Sequence, residues 1–144
     1  MVAIVILAAG LQALAMAVDE GRFHARRPMP RWERLGHPLD TATVAACYAW
    51  LLVAPHTEGA LGAYAALAVF SCIFVTKDER VHTRLCTSAE HWLHSVLFIL
   101  HPIVLAAFAW AWWTGHPFLV AAQLSLTMAF GTYQIVRWNF GRVI

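Results

Sequence analysis

Residues 88–113 read SAEHWLHSVLFILHPIVLAAFAWAWW, and none of the side chains from Trp92 to Trp113 is an aspartate, glutamate, lysine or arginine. At a rise of about 1.5 Å per residue, a helix over this segment would be about 39 Å long, roughly 9 Å more than the hydrocarbon core of a bilayer. The segment therefore predicts a transmembrane helix that continues beyond the lipid at its polar end, which carries Glu90, His91 and His94.

The composition of the whole chain agrees with a membrane protein. Hydrophobic residues make up 60% of the chain and charged residues 12%, and the mean hydropathy is +0.62. Soluble domains carry about 25% charged residues, so this chain has too few polar side chains to cover a surface in water. The net charge of +2 comes without a basic and aromatic surface, which excludes nucleic acid as a partner. We predict an integral membrane protein.

Four other apolar stretches complete the predicted fold, an all-α compact bundle that forms a single transmembrane domain over residues 1–144. Because backbone groups in lipid must be paired within their own segment, each stretch is expected to be helical. Proline suits the first turn of a helix and disfavours helical geometry in the residue before it. Gly36-His37-Pro38 is therefore predicted to interrupt any helix just before the second span. The five predicted spans are about 1–18, 38–55, 60–76, 88–114 and 117–136.

The basic residues give the predicted orientation. With five spans, all ten lie on one side of the membrane, and basic residues concentrate on the cytoplasmic side. We therefore predict a protein of the cell (inner) membrane with its N-terminus outside and its C-terminus inside. The third and fourth helices would extend into the cytoplasm. The ten residues are Arg22, Arg26, Arg27, Arg31, Arg34, Lys77, Arg80, Arg84, Arg137 and Arg142.

Acids and histidines concentrate on the same side. An acid precedes a histidine by four residues at Glu20–His24, Glu33–His37, Asp78–His82 and Glu90–His94. Chance predicts about 0.4 such pairs for eight acids and eight histidines in this length. Residues four apart share one face of a helix. Glu33–His37 is discounted because of the predicted break, and Glu33 is expected to be a solvated or salt-bridged residue.

These side chains are the ones that iron, manganese and zinc prefer. The predicted ligands exceed the three or four that a single zinc ion needs, which favours two metal ions, with iron first and zinc or manganese as alternatives. Glu79-x-x-His82 also has a spacing used by di-iron helical bundles. The predicted imidazole ligands are His24, His37, His82, His91, His94 and His101, and the carboxylates that bind metal or orient these rings are Glu20, Asp40, Asp78, Glu79 and Glu90.

The arrangement is similar to that of membrane fatty-acid hydroxylases and desaturases, whose metal ligands lie at the cytoplasmic ends of transmembrane helices. Those families carry adjacent histidine pairs, whereas the nearest equivalent here is Glu90-His91-x-x-His94. The ligand set and this similarity together predict a dinuclear iron oxidoreductase that acts on a lipid or other apolar substrate. Such an enzyme also needs an electron donor.

Two other functions remain open at this stage. The chain could be a haem b and quinol-binding anchor subunit, for which only His101 lies deep inside a span. It could also be a non-catalytic metal-handling or accessory subunit beside a partner membrane protein. Single residues have simpler alternatives as well. Glu90 could complete a capping box with Thr87, and His101 could bond to Ser125 or Thr127.

Overall fold

A computed structural model describes residues 2–141, apart from the side chain of Arg80. These residues form six α-helices and no β-strand, so the all-α prediction is confirmed. A π turn (Asp19–Phe23) and a 3₁₀ turn (His24–Arg26) extend α1, a 3₁₀ turn (Val75–Asp78) joins α3 to α4, and a π turn (Val136–Phe140) extends α6. The helices are α1 Val2–Val18, α2 Arg31–Val53, α3 Glu58–Phe74, α4 Glu79–Leu85, α5 Ser88–Trp113 and α6 Pro117–Ile135.

Four helical segments are long and apolar enough to cross a membrane. They are Val2–Arg26, Glu58–Leu85, Ser88–Trp113 and Pro117–Phe140, and they contain the first, third, fourth and fifth predicted spans. The helix α2 is not among them, and its first half carries four charged residues, Arg31, Glu33, Arg34 and Asp40.

The predicted break at Gly36-His37-Pro38 is wrong. The helix α2 runs without interruption from Arg31 to Val53, with Pro38 inside it. Proline has no N–H to donate to the carbonyl oxygen four residues earlier, which belongs to Arg34. The side-chain amide of Asn139 donates to that oxygen instead, at 3.2 Å. A residue from the far end of the chain thus replaces the missing hydrogen bond, and α2 begins well before position 38.

The helices pack around α2, which contacts α3, α5 and α6, while α1 packs mainly on α5. An apolar core fills the half of the bundle near the α2–α3 and α5–α6 turns. Tyr48 packs edge-on against Phe108, and the hydroxyl of Tyr64 donates to the carbonyl oxygen of Leu105 at 2.7 Å. We call this half the apolar half. Its largest buried side chains include Tyr48, Leu51, Leu105, Phe108 and Trp112.

The outside of the bundle is apolar, whereas charged side chains are buried at one of its ends, which is unusual for a soluble protein. Large apolar side chains cover the outside and are 58 to 80% exposed at Ile4, Leu7, Leu14, Val69, Ile73, Ile99 and Phe118. Charged side chains, which are rarely buried in soluble domains, lie inside. The buried acids are Asp19, Glu20, Glu33, Asp78 and Glu90, and they gather at the end of the bundle opposite the apolar half.

Candidate metal centre

Four histidines from four separate segments meet at that end. His24 lies in the turn after α1, His37 in α2, His82 in α4 and His94 near the start of α5. Their ring centroids form a closed circuit, with His24–His37 at 4.8 Å, His37–His82 at 6.3 Å, His82–His94 at 4.4 Å and His94–His24 at 6.2 Å. We call these four rings the histidine circuit. The acid–histidine segments of the sequence therefore converge in space.

Most nitrogens of the histidine circuit have no hydrogen-bond partner. Six of its buried ring nitrogens form no hydrogen bond, namely both nitrogens of His24, both of His82, Nε2 of His37 and Nδ1 of His94, and those of His24 and His82 lie 3.5 to 3.9 Å from carboxylate oxygens. A buried polar atom without a partner costs about 1–3 kcal/mol, so native structures rarely hold several together. Imidazole lone pairs are also what a transition metal binds. The circuit therefore has the properties of a ligand set.

The first candidate metal group consists of Asp19, His24, Glu90 and His94. One ligand atom from each lies within 4.8 Å of the others, and all four residues are buried. Asp19 connects the two rings, with Oδ1 at 3.1 Å from His94 Nε2 and Oδ2 at 3.6 Å from His24 Nε2. Glu90 Oε1 lies 3.9 Å from His24 Nε2. Two imidazoles and two carboxylates suit iron, manganese or zinc.

The second group consists of His37, Asp40 and Asp78, and a lysine lies within it. The ammonium group of Lys77 is 2.6 Å from both carboxylate oxygens of Asp40 and 2.9 Å from Asp78 Oδ2. Asp78 Oδ1 is buried without a partner. A Cβ at Gly36 would lie 3.1 Å from the Asp78 carboxylate, so glycine allows this close approach. Here a cation already contacts both carboxylates.

The third group combines His82 and His94 with Cys86. Burial, reinforced by the nearby Glu90, raises the pKa of the Cys86 thiol. Because metals bind the thiolate, this cysteine would have to lose its proton on binding. The third group is therefore the least ready of the three to bind a metal, because one of its ligands is a protonated thiol.

Arg27 and Glu33 complete the centre, although neither was among the predicted site residues. Arg27 Nη1 donates to Glu33 at 2.6 Å, and Nη2 donates to both Glu33 and Glu90 at 3.1 Å. Burial alone would lower the pKa of Arg27, but the hydrogen bond to Glu33 and the charges of Glu33 and Glu90 outweigh it and hold the pKa above its ordinary value. Glu33 is fully buried and lies 3.5 Å from His82 Nε2. Its four-residue spacing from His37 was the available signal, which the predicted helix break concealed.

Glu20 is placed to orient His24. Its carboxylate accepts hydrogen bonds from Gln134 Nε2 at 3.2 Å and Trp138 Nε1 at 2.9 Å, and lies 3.8 Å from His24 Nδ1. Carboxylates that hold the second nitrogen of a ligating imidazole fix its orientation.

Glu79 and His91 lie at the rim, away from the buried groups. Their side chains are 42% and 31% exposed, and Glu79 Oε1 is 3.6 Å from His91 Nδ1. Glu79 also reaches His82 Nδ1 at 3.9 Å. The capping interaction of Glu90 forms only in part, because its N–H donates to Thr87 Oγ1 while its carboxylate turns to Arg27.

His101 lies about two helical turns beyond His94, outside the three groups found among the described residues. Its Nε2 is 3.1 Å from Ser71 Oγ, and its Nδ1 is 3.5 Å from the amide nitrogen of Gln12. Ser71 Oγ is 2.7 Å from Thr43 Oγ1, and Thr43 donates to the Asp40 carbonyl. Thr43 can then only accept from Ser71, and Ser71 accepts from His101 Nε2–H. Both ring nitrogens of His101 therefore have protein partners.

The hydroxyl that bonds His101 is not the one expected from the sequence. Ser125 and Thr127 donate to carbonyl oxygens of their own helix, at Ala121 and Gln123. Ser71 on α3 takes their place.

A cavity of about 640 Å³ leads from the apolar half to the histidine circuit. It lies mainly between α1, α2, α5 and α6, and α1 with the π turn that follows it lines the cavity from Val5 to Glu20, about 22 Å along the helix axis. Ile6 and Leu126 line the cavity and are also 58% and 67% exposed. The cavity is therefore open to the outside between α1 and α6.

The charge of the centre agrees with a site for cations. Six carboxylates converge there, and the described cations that pair with them are Arg27 and Lys77, which leaves an excess of four negative charges if every acid is ionised. The six are Asp19, Glu20, Glu33, Asp40, Asp78 and Glu90.

No protein-family model, curated protein or solved structure matches the chain.

Proposed function

We propose that this protein is an integral membrane metalloprotein that holds two transition-metal ions and oxidises a lipid or other apolar substrate. Iron is the metal that we expect in both positions. The observation that carries the proposal is the histidine circuit, in which six ring nitrogens form no hydrogen bond and lie among buried carboxylates. Mixed histidine and carboxylate ligands from several helices are also the ligand set of di-iron bundles.

The two ions are assigned to the first and second groups. The first ion is held by Asp19, His24 and His94 with Glu90, and Glu20 orients His24. In this group a cation, Arg27, contacts only the Glu90 carboxylate, whereas Lys77 contacts both carboxylates of the second group, so the first group is expected to fill first.

The second ion is held by His37, Asp40 and Asp78, from which it displaces the Lys77 ammonium group. His82 lies between the groups, 4.4 Å from the ring of His94 and 6.3 Å from that of His37. It is therefore the residue best placed to bind either ion.

Iron in such a centre would supply the activation of dioxygen. Hydroxylation of a carbon–hydrogen bond consumes one dioxygen, two electrons and two protons, places one oxygen atom in the product and releases the other as water. An external electron donor is therefore a required partner. The chain itself contributes the apolar cavity, which brings a substrate to the centre and excludes water.

The proposed topology has five spans, with α2 crossing the membrane over about residues 38–55 and the centre on the cytoplasmic side. The packing of α2 against α3, α5 and α6 supports this, because it turns Glu33, His37 and Asp40 of α2 towards the centre rather than towards lipid. Cysteines placed at Glu58 and Gly115 are expected to react with impermeant reagents from outside the cell. Labelling of both from the cytoplasm alone would contradict five spans.

The haem alternative has less support. A transmembrane haem b needs axial histidines at matching depth, and the deep histidine, His101, already uses both nitrogens for Ser71 and Gln12. The optical spectrum of freshly purified protein tests both functions. A di-iron centre gives weak near-ultraviolet bands that Asp19→Asn removes and that Glu58→Gln, at an exposed outer position, leaves unchanged. An intense Soret band would support haem, and a spectrum without either would leave the accessory role.

A further inference from the structure

The cavity has two different ends. At one end it is lined by carboxylates and histidines of the metal centre, and its charged lining residues, Asp19, Glu20, Asp40 and Asp78, are all there. At the other end it is lined by apolar side chains such as Val5, Phe108 and Leu119. Between them, α1 contributes Ala9, Gly10 and Ala13, which leave the middle of the cavity wide.

The opening between α1 and α6 lies in the apolar part of the helices. Ile6 and Leu126 stand on its edges, far along the chain from the charged ends of both helices. The surrounding surface is covered with exposed aliphatic side chains. A ligand that uses this opening therefore arrives from the hydrocarbon region of the bilayer rather than from water.

We infer that a hydrocarbon chain of a membrane lipid enters sideways between α1 and α6 and lies along the cavity with its polar head at the metal centre. The volume of about 640 Å³ falls in the range that holds one small-molecule ligand, and the length of about 22 Å suits an extended chain. The carbons nearest the head group then lie beside the histidine circuit, and the terminal methyl group lies near Val5 and Leu119.

The reverse orientation is disfavoured by desolvation. A head group at the Val5 end would meet mostly apolar side chains, with Tyr48 and Gln123 as the nearby polar groups of the lining, and a polar group buried without enough hydrogen-bond partners is destabilised. At the other end, the imidazoles that line the cavity and the metal ions of the proposed centre can contact it. The inference rests on the proposed function for the position of the metal, and it adds the substrate class and the part of the substrate that reacts.

Spin-labelled stearic acids test the orientation. Protein loaded with Mn²⁺ is mixed with stearic acid that carries a nitroxide at carbon 5 or at carbon 16, and electron paramagnetic resonance is recorded. Both acids are expected to show an immobilised component, and the bound Mn²⁺ should broaden the carbon-5 signal more strongly. Stronger broadening at carbon 16 would overturn the orientation, and the absence of an immobilised component would overturn chain binding.

Two glycines provide matched variants. A Cβ at Gly10 or at Gly62 meets no atom within 4 Å, but Gly10 lines the cavity whereas Gly62 lies on the exposed face of α3. Gly10→Leu is expected to weaken stearate binding by about tenfold or more, and Gly62→Leu to leave it unchanged. Equal binding by the two variants would overturn the site.

Metal content separates this inference from the proposed function. Both glycine variants are expected to keep the metal of the unsubstituted protein, because neither position lies in a ligand group. If the protein binds metal but does not immobilise stearate, the lipid site is wrong and the proposed function stands. Stearate binding that Gly10→Leu abolishes, in protein that binds no metal, would defeat the proposed function and the head-to-metal orientation but keep the cavity as a lipid site.

Discussion

The two ends of this bundle differ in how their buried polar groups are bonded. In the apolar half, the Tyr64 hydroxyl donates to the Leu105 carbonyl at 2.7 Å, and Trp50 Nε1 donates to the Ala60 carbonyl at 3.0 Å. At the opposite end, six ring nitrogens of the histidine circuit form no hydrogen bond. We propose a division of roles, in which the apolar half holds the helices together and the other end binds the metal ions.

Removal of one ring from the circuit is expected to have the largest effect. His94 contributes to the first and third groups, so His94→Ala should weaken metal binding by at least about a hundredfold, more than loss of an orienting partner alone. The control is His56→Ala, at an exposed histidine that packs on Trp112 in the opposite half. Competition with a chelator measures both affinities. Equal affinities in His94→Ala and His56→Ala would mean that the histidine circuit does not bind the metal.

The apolar half should show the opposite response. Leu105 is 2% exposed, so Leu105→Ala is expected to lower the free energy of unfolding by about 2 kcal/mol or more. Metal bound per folded chain should not change, since Leu105 lies outside the ligand groups. Ile103→Ala, on the 50% exposed side of the same helix, is the control and should cost less. The division of roles would fail if Leu105→Ala removed metal while stability was retained.

Lys77 provides a sharper test within the centre. Since its ammonium group occupies the carboxylates of the second group, Lys77→Met is expected to tighten binding of the second ion by about tenfold and leave the first ion unaffected. Arg84→Met removes the same charge from an exposed position of α4 and should change neither. Equilibrium dialysis at increasing metal concentration resolves the two steps. A second step that is unchanged or weaker in Lys77→Met would argue against this assignment.

The smallest effect is expected at His101. Although the sequence analysis placed His101 among the ligands, Ser71 and Gln12 already contact its nitrogens. His101→Ala should therefore change metal affinity by less than about twofold. The same chelator competition measures it, and a loss as large as that of His94→Ala would return His101 to the ligand set.

Much of the fold could be predicted from the sequence, because lengths of apolar sequence indicate membrane-spanning helices directly. Four such helices are found where they were predicted. The start of α2 could not be predicted, because the rule for residues before proline is local. The hydrogen bond from Asn139 that compensates Pro38 comes from more than a hundred residues further along the chain.

The site was predictable as a region but not as a set of contacts. The four-residue spacing identified helix faces that meet, yet the acids mostly contact histidines of other segments, as in Asp19–His94, Glu33–His82 and Glu90–His24. Those pairings depend on how the helices are rotated in the bundle, which spacing within one helix does not determine. The role of Arg27, which joins Glu33 to Glu90, follows from the same geometry.

The most direct test of the proposed centre is elemental analysis of the freshly purified protein, with His94→Ala beside it. The surplus of carboxylates over the cations Arg27 and Lys77 and the two main ligand groups predict about two transition-metal ions per chain, with iron predominant, and a large loss in His94→Ala. Less than about half an atom of any transition metal per chain, or iron present only as haem, would contradict the account.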